Sequence, residues 1–334
     1  MIDSDTHEKQ KGSNMHKSAT VLCAGIIVLD YGCSPIQHFP IEGELIATEG
    51  MALTIGGCAS NVGVDLAKMG VSSQILGKVG EDDFGNLIAH KLKQTGADCS
   101  KIIKTKHLPT SQSLVINVQG QDRRFIHMIG ANADFSDDDF QIKDTQGCKV
   151  VYLGGFLLMD KLTPHHIAGI FRNAQENGAK TVLDVVTPGL GHHLEKLKPI
   201  LPFVDVFLPN DAEGKIISGI EDPIDQAKFF HKLGAKTSII TMGHLGTILI
   251  NDLGYFKSDV FKIDYLDGSG SGDAFTAGYI TGMLDNKNEL ECLTLGSALG
   301  ASCVRFQGTT EGVFNRKECE EFLAKNKLLV NKFN

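Results

Sequence analysis

Twelve residues near the end of the chain, DGSGSGDAFTAG over 267–278, combine four glycines with two aspartates. Glycines at alternate positions let successive backbone N–H groups point toward one place. The positive end of the helix dipole lies at the same place, so the bend favours an anion such as phosphate. Asp273 lies in the first turn of the predicted helix, where its carboxylate could accept a proton from an alcohol attacking that phosphate. The spacing therefore indicates phosphoryl transfer. Taken alone, this motif is equally consistent with a glycine-rich turn in which Asp273 is only an N-terminal residue of a helix.

Three other glycine-containing motifs do not fit the chain. A dinucleotide fingerprint starting at Gly268 would need glycine at the position of Asp273, and the sequence contains no Walker motif. Ser269 and Ser271 lack the glycines, two residues away on either side, that a nucleophile elbow requires. An anion-binding bend remains as the interpretation of this segment.

A second glycine cluster occurs early, in TIGGCASNVGVDLAKMG over 54–70. Gly56 and Gly57 allow a ligand to approach the backbone closely, and Asn61 in the following helical turn can donate to and accept from sugar hydroxyls. The alternative is an ordinary helix cap formed by Ser60 or Asn61, which is the commoner role of such residues. Gly70 suits the left-handed position that follows a helix.

The elements that must position these residues alternate between buried strand patterns and helical patterns. TVLCAGIIVLD, starting at Thr20, indicates one buried strand ahead of the helix in the early glycine cluster. The same alternation recurs at SSQILGKVG, KVVYLGGF, KTVLDVV and VDVFLPN, each followed by a helical segment. It predicts an α/β fold with a parallel sheet covered on both faces. After the hairpin pattern TILINDLGYFKSDVF, the chain is predicted to be helical from Gly272 onward.

Two segments, about 36–55 and 110–130, supply no crossover helix. SLVINVQGQDRRFIHMIG alternates on both sides of Gly120 and predicts a hairpin. We expect the two segments to form a small separate sheet that acts as a lid over the site. Because no Pro- or Ser-rich linker and no internal repeat divides the chain, the sequence predicts one domain over 19–330 with this lid inserted.

The bulk composition restricts the class of protein. The chain has 334 residues, 42% hydrophobic content and a net charge of −8, with no basic run that would suit nucleic acid. The eight cysteines have no C-x-x-C spacing, which favours reduced thiols in a cytoplasmic protein. No apolar stretch is long enough for a membrane span, and residues 1–18 are polar and are predicted to be a disordered tail.

Three motifs in the same order and spacing resemble signatures of the ribokinase-like (PfkB) carbohydrate kinase family. They are GGCASNVGVDLAKMG, LPNDAEGKIISG with its N-x-x-E element, and DGSGSGDAFTAGYI, and the likeness runs from about residue 19 to about 327. The resemblance implies a three-layer α/β/α sandwich with a mostly parallel central sheet and a small β-sheet lid. It also implies transfer of the γ-phosphate of ATP to a carbohydrate hydroxyl.

The family's phosphate-side residues map onto three places in this chain. The resemblance implies that Asp273 is the catalytic base and that the amides of Gly270, Ser271 and Gly272 form the anion hole. In the N-x-x-E element, the residues implied to organise Mg²⁺ and its waters near ATP are Asn210 and Glu213; an ordinary helix cap is the alternative. The family's nucleotide-side loop resembles TMGHLG, with Thr241, Gly243 and Gly246.

On the acceptor side, the family places an aspartate where Asp30 stands, to bind two sugar hydroxyls. A carboxylate suits a vicinal diol because each oxygen can accept one O–H, and strand ends are where open α/β sheets bind ligands. Gly56, Gly57 and Asn61 would complete this pocket. Asp267, together with the loop near Gly308, is implied as a monovalent cation site for K⁺.

The chain also departs from the family pattern. The last signature usually begins Asp-Thr, whereas Gly268 follows the aspartate here, and Ser271 replaces the usual alanine. Ribose kinases tend to carry asparagine and lysine where this chain has Val28 and Cys58, which puts ribose itself in doubt.

Several alternatives stay open from the sequence. A nucleoside kinase of the same fold would also present a ribose diol to Asp30, and a sugar- or nucleotide-binding regulator could keep the fold without turnover. In the lid hairpin, Arg123, Arg124 and His127 could reach an acidic or phosphorylated sugar, although adjacent arginines are more often a solvated face. Exposed edges of the lid strands could pair two copies into a homodimer.

Overall fold

The computed structural model describes residues 19–121 and 123–333. The predicted disordered tail, residues 1–18, lies outside the described residues. The described residues contain fourteen strands: β1 Val21–Gly25, β2 Val28–Cys33, β3 Met51–Gly56, β4 Ser73–Gly80, β5 Asp98–Thr105, β6 Gln112–Ile116, β7 Arg124–Met128, β8 Val150–Gly154, β9 Lys180–Leu183, β10 Val206–Phe207, β11 Thr237–Thr241, β12 Thr247–Asn251, β13 Gly254–Ser258 and β14 Val330–Phe333.

The described residues also contain nine α-helices: α1 Cys58–Lys68, α2 Asp83–Leu92, α3 Pro164–Glu176, α4 His193–Leu197, α5 Asp211–Ser218, α6 Pro223–Lys232, α7 Ser271–Leu284, α8 Glu289–Cys303 and α9 Arg316–Lys325. Gly70 follows α1 in the predicted left-handed conformation, with φ at 73°. Among these helices, none combines the length and the apolar content that a bilayer crossing requires.

Ten strands form one large sheet, sheet A, in the order β14, β13, β12, β11, β10, β9, β8, β1, β4, β5. The strands from β11 to β5 are parallel, and β12, β13 and β14 add an antiparallel edge. Connections from β1 to β4 and β5 run one way across the sheet, and those from β8 to β11 run the other way. Right-handed crossovers therefore place α1 and α2 on one face and α3 to α6 on the other. Helix α7 packs against α1 and α8.

Four strands form a second, small sheet, sheet B, in the order β3, β2, β6, β7. The predicted hairpin corresponds to the antiparallel strands β6 and β7. Most of the segment 36–50 is not strand; Ile36 makes a single bridge to Val118.

Two expectations about elements were wrong in detail. TVLCAGIIVLD is two strands, because Gly25 adopts φ 135° against the backbone of Gly154, and the chain then leaves sheet A as β1 and enters sheet B as β2. The chain after Gly272 is not only helical, since β14 returns to pair with β13. Both departures depend on distant partners, which a local pattern does not contain.

Candidate active site

The candidate site lies at the carboxyl edge of sheet A. The connection after β1 runs toward one edge of sheet A, and the connection after the neighbouring strand β8 runs toward the other edge. Such a reversal of direction leaves a crevice at the carboxyl ends of the two strands. At this crevice, the segments after β1, β9, β10 and β11 come to the same edge as the amino end of α7. The sequence motifs that follow those strands are thereby brought to one side of the molecule.

The two glycine-rich motifs meet through a direct hydrogen bond between side chains. Asn61 Nδ2, on the first turn of α1, donates to Asp273 Oδ2, on the first turn of α7, at 2.8 Å. On its other side, Asn61 Oδ1 lies 2.9 Å from the Thr309 hydroxyl. Asn61 is 2% exposed. Its side-chain amide bonds the Asp273 carboxylate and does not cap its own helix.

Burial raises the pKa of Asp273 above its ordinary value, while hydrogen bonds from Asn61 and the Cys58 thiol lower it in part. A raised pKa makes the carboxylate a stronger proton acceptor than an exposed aspartate. The arrangement therefore suits removal of a proton from a bound hydroxyl.

The loop before Asp273 shows why glycine occupies position 270. Gly270 has φ 77°, and a Cβ there would collide with the backbone of Thr309. At Gly272, a Cβ would meet no atom within 4 Å, so this part of the helix start faces open space. Of the three amides expected in the anion hole, that of Ser271 also donates to Gly268 O, at 3.3 Å.

Asp30 projects from β2 and is 9% exposed. Burial raises its pKa to about 6; a Ser113 hydrogen bond opposes this effect, and the charges of Asp273, Asp267 and Glu311 add to it. A side chain at Gly56 would overlap the Asp30 carboxylate. The first glycine of the early cluster is thus required by this aspartate.

Gly57 caps α1 with φ 91°, and a Cβ there would lie 2.5 Å from Ile26 O. The two glycines therefore allow two different contacts. Gly56 leaves room for the Asp30 side chain, and Gly57 lets the start of α1 pack against the backbone at Ile26, just after β1.

Asn210 and Glu213 form a reciprocal capping box at the start of α5. Asn210 Oδ1 accepts from Glu213 N at 2.9 Å, and Glu213 Oε2 accepts from Asn210 N at 3.0 Å. The helix-cap alternative is therefore realised in these contacts. Burial nevertheless raises the pKa of Glu213 to about 7, opposed by the Asn210 backbone and increased by the Asp273 charge. The Glu213 carboxylate thus belongs to the same electrostatic cluster as Asp273.

Asp184, just after β9, is a site residue that the sequence analysis did not single out. Ligand atoms of Asp184, Asp273 and Cys58 lie within 4.8 Å of one another. Burial, followed by the charges of Glu213 and Asp273, raises the pKa of Asp184, and the Tyr152 hydroxyl lies 3.2 Å from its Oδ2. The signal was available, because Asp184 follows the buried strand β9, and strand ends are where open α/β sheets bind ligands.

The expected nucleotide-side residues lie two strands farther along the edge than Asp184. Thr241 ends β11 and forms a bridge with Asn210. Gly243 and Gly246 flank a single 3-10 turn, with φ values of 54° and 89°. The structure places this turn beside the N-x-x-E element, with no hydrogen bond in the described residues that joins it to Asp273.

Asp267 is 5% exposed and lines a cleft between sheet B and the segments 267–269 and 307–309. Its Oδ1 accepts from Ser269 N at 2.9 Å and its Oδ2 from Gly308 N at 3.3 Å. Asp30 lines the same cleft from sheet B. The cleft therefore has a carboxylate on each side and adjoins the start of α7.

A model of the pfkB family carbohydrate kinases matches residues 18–315. A ribokinase from Haemophilus influenzae is 27% identical over 92% of this chain and 99% of its own length. A 2-dehydro-3-deoxygluconokinase from Bacillus subtilis is 26% identical over 83% of this chain and 89% of its own length.

Among solved structures, that of Arabidopsis thaliana ribokinase complexed with ribose and ATP superposes with a TM-score of 0.76 at 23% identity. The match covers 92% of this chain and 99% of the other. The fold predicted from the sequence, a ribokinase-like α/β sandwich with a second small sheet, is confirmed.

Proposed function

The chain belongs to the pfkB family of carbohydrate kinases, and from that premise we propose that it transfers the γ-phosphate of ATP to a hydroxyl of a sugar or sugar-like alcohol. The observation that carries the proposal is the 2.8 Å bond between Asn61 and Asp273, which unites the acceptor-side and phosphate-side motifs. The sugar that is phosphorylated is a separate question, because the related kinases act on different sugars.

In this mechanism, Asp30 accepts hydrogen bonds from two neighbouring sugar hydroxyls, and Gly56, Gly57 and Asn61 shape the pocket around them. Asp273 takes the proton of the hydroxyl to be phosphorylated. The hydroxyl oxygen then bonds to the γ-phosphorus as the bond from phosphorus to ADP breaks. Because the pKa of Asp273 is raised, the carboxylate can hold this proton until the product leaves.

The start of α7 stabilises the phosphoryl group during transfer. The N–H groups at Gly270, Ser271 and Gly272 face the helix's open end, where a fixed positive dipole lowers the energy of developing negative charge. The Ser271 amide is shared with Gly268 O, so Gly270 and Gly272 contribute more directly.

The buried carboxylates fit the Mg²⁺ that the family resemblance implies. Asp184, Glu213 and Asp273 are hard oxygen donors. Burial raises the pKa of all three, and the Asp273 charge raises those of Asp184 and Glu213 further, a repulsion that a divalent cation relieves. Asp184 and Glu213, with waters ordered at Asn210, are the residues that would hold the ion. Bound Mg²⁺ would neutralise charge on the phosphates of ATP. The Cys58 thiol does not suit Mg²⁺, and we assign it to Asp273 as a hydrogen-bond donor.

The turn with Thr241, Gly243 and Gly246 is assigned to the nucleotide. Asp267 is assigned to a monovalent cation such as K⁺, and comparison of rates in potassium and in a bulky organic cation tests that assignment. A cytoplasmic location stays a prediction.

Sheet B acts as a lid over the cleft in this proposal. Its face toward the cleft carries Asp30, and its closure excludes water that would compete with the sugar for the phosphoryl group.

The outer face of sheet B is the proposed surface of a homodimer. It presents an apolar row across the four strands, formed by Leu53, Tyr31, Leu114 and Ile126, of which Ile126 is 63% exposed. A second copy of the chain is the proposed partner, and sedimentation velocity of the wild type and of Ile126→Glu measures the association.

The proposed function is tested by measuring ADP release with D-ribose, D-fructose, 2-dehydro-3-deoxy-D-gluconate, fructose 6-phosphate and nucleosides. We expect at least one sugar to give saturable ADP release and a phosphorylated product detectable by phosphorus NMR. Preference for nucleosides would favour the nucleoside kinase instead. If calorimetry detects binding of ATP and sugar while no phosphorylated product accumulates, the proposal is wrong.

A further inference from the structure

Three polar side chains form a row across sheet B, on the same face as the acceptor-binding carboxylate. Asp30 on β2 is paired with Ser113 on β6, and Ser113 is paired with His127 on β7. Partners across neighbouring strands project from the same face of a sheet, so the three side chains are neighbours. Val115, two residues along from Ser113, lines the cleft from this face. Asp30 and Val115 line the cleft, so the row lies on the face of sheet B that is turned toward it and extends from Asp30 along that face.

Hydrogen bonding along the row determines which imidazole nitrogen carries the proton. The Ser113 hydroxyl has one hydrogen, and its hydrogen bond to Asp30 helps to hold down the pKa of that carboxyl. Ser113 Oγ also lies 3.0 Å from His127 Nδ1. With the hydroxyl hydrogen turned toward the carboxylate, Oγ accepts from Nδ1–H, and this is the tautomer that we assign. Burial lowers the pKa of His127, so the ring is neutral at pH 7 and Nε2 carries a lone pair.

That Nε2 lone pair has no hydrogen-bond donor among the described residues, although the atom is buried. A buried polar atom without a partner is rare in native proteins and calls for a ligand or an ordered water. Asp30 and Ser113 are themselves 9% and 7% exposed, so the row is built into the sheet rather than spread over its surface. The missing donor is therefore expected from a molecule that enters the cleft.

We propose that His127 is a specificity-determining residue whose Nε2 accepts a hydrogen bond from a hydroxyl of the sugar, beyond the pair of hydroxyls bound by Asp30. The inference rests on the proposed kinase function. Two strand spacings separate His127 from Asp30, roughly 10 Å between backbones, a span that a sugar bound at Asp30 can bridge once the imidazole side chain is included. A lone pair repels an anionic oxygen, so a neutral hydroxyl is preferred over a carboxylate or phosphate at this position.

A purely supporting role for His127 makes a different prediction. If the ring only holds Ser113 in place, Nδ1 is the atom that matters and Nε2 is irrelevant. Two substitutions separate these roles, because an asparagine amide reaches the place of Nδ1 and a glutamine amide reaches the place of Nε2. His127→Asn keeps the bond to Ser113 and removes the contact to the sugar, whereas His127→Gln does the reverse.

The experiment measures kcat/KM for D-fructose, D-ribose and each of their monodeoxy derivatives at fixed ATP. For one hydroxyl position, we expect the wild type to prefer the parent sugar about 10- to 100-fold over the deoxy sugar, since a deoxy sugar leaves a buried acceptor unpaired. His127→Asn should reduce this preference to about one, and His127→Gln should keep part of it. His90→Asn, an exposed histidine on α2, is the control and should behave as the wild type.

The inference is wrong if His127→Asn keeps the wild-type preference at every hydroxyl position. It is also wrong if both variants lose the same activity on parent and deoxy sugars alike. Should the wild type phosphorylate no sugar at all, the proposed function fails first.

A spectroscopic measurement on the wild type avoids any folding defect of the variants. With ¹⁵N-labelled histidine, His127 should show a protonated Nδ1 and an unprotonated Nε2, and the Nε2 signal should move when D-fructose or D-ribose is added with a non-hydrolysable ATP analogue. A protonated Nε2, or a signal that neither sugar moves, contradicts the proposal.

Discussion

Asp273 and Asn61 were both predicted from short sequence motifs, Asp273 as a base and Asn61 as a sugar ligand. Their mutual hydrogen bond was not predicted, because the residues are 212 positions apart and no local pattern encodes the contact. Thr309, which lies against Asn61, carried no sequence signal at all. Asp184 could have been found by the rule that strand ends of open α/β sheets bind ligands, since it follows the buried strand β9. The sequence therefore predicts which residues have suitable chemistry, but it does not predict which of them contact one another.

The raised pKa of Asp30 leads to a pH prediction. Burial raises it to about 6, and only the ionised carboxylate can accept two hydroxyl protons. Below pH 6 the protonated form of Asp30 dominates, so this group alone should lower kcat/KM for the sugar about tenfold for each pH unit. The measurement is a pH profile of kcat/KM from pH 5 to 8. Because Asp273 and Glu213 also have raised pKa values, Asp30→Asn should keep an acidic limb whose slope is smaller by one proton; an unchanged slope contradicts the assignment.

Gly56→Ala should weaken sugar binding selectively. A Cβ at this position overlaps the Asp30 carboxylate and forces it out of place. We expect KM for the sugar to rise about 10- to 100-fold, as for small displacements of a positioning group, with little change in KM for ATP. The control is Gly169→Ala in α3, where a Cβ meets nothing within 4 Å. Equal effects on both KM values would contradict this reason for the glycine.

At the scale of elements, hydrophobic patterns predicted most strands and helices, while their assignment to sheets depended on distant contacts. The single strand expected from Thr20 is split at Gly25, and the halves belong to different sheets. Strand β14 pairs with β13, which lies more than seventy residues earlier in the chain. Periodicity reports which face of a segment is buried; it contains no information about the partner that buries it.

One contact between elements explains a departure from the family signature. A Cβ at Gly268 would lie 2.5 Å from Nη1 of Arg123, the residue that precedes β7 of sheet B. The usual threonine would therefore displace the guanidinium of Arg123. We expect Gly268→Thr to lower kcat/KM for the sugar roughly tenfold or more by hindering lid closure.

The double variant with Arg123→Ala separates this cause from a general defect. If the threonine acts by displacing Arg123, the two changes together should cost no more than either alone. Arg124→Ala is the matched control, because Arg124 is exposed and bonds Gln121. Fully additive effects in steady-state kinetics would contradict the contact.

At the scale of the whole molecule, the switch between β1 and β8 accounts for the position of the site, and the sequence contained that information only through the alternation of strands and helices. The order of strands in sheet A, and the side on which each helix packs, follow from crossover handedness once the strands are known. Charge distribution inside the molecule was the least predictable property, as Asp65 illustrates.

Asp65 lies fully buried in α1, and neither carboxyl oxygen has a hydrogen-bond partner among the described residues. Burial raises its pKa well above the ordinary 3.8; Lys68 opposes this effect, and the charges of Asp273 and Glu311 add to it. The folded chain then binds a proton that the unfolded chain releases above pH 3.8. The wild type's free energy of unfolding therefore decreases as pH rises from about 4 toward the folded pKa, by up to about 1.4 kcal/mol per unit from this group.

Asp65→Asn removes that term, so its melting temperature relative to the wild type should increase from pH 5 to pH 8. Thermal unfolding of both proteins across this range is the measurement. Asp259→Asn, which changes an exposed carboxylate, is the control and should show no such trend. A difference that stays constant with pH would mean that Asp65 is ionised in the folded chain.

The central claim is that the carboxylate at the start of α7 removes the proton of a sugar hydroxyl during phosphoryl transfer. Single-turnover transfer by Asp273→Asn, at saturating ATP and with the best sugar acceptor, tests it most directly. We expect a rate at least about 100-fold below the wild type, with dissociation constants for ATP and sugar changed only a few-fold. Transfer by Asp273→Asn at the wild-type rate, with both substrates bound, would contradict it.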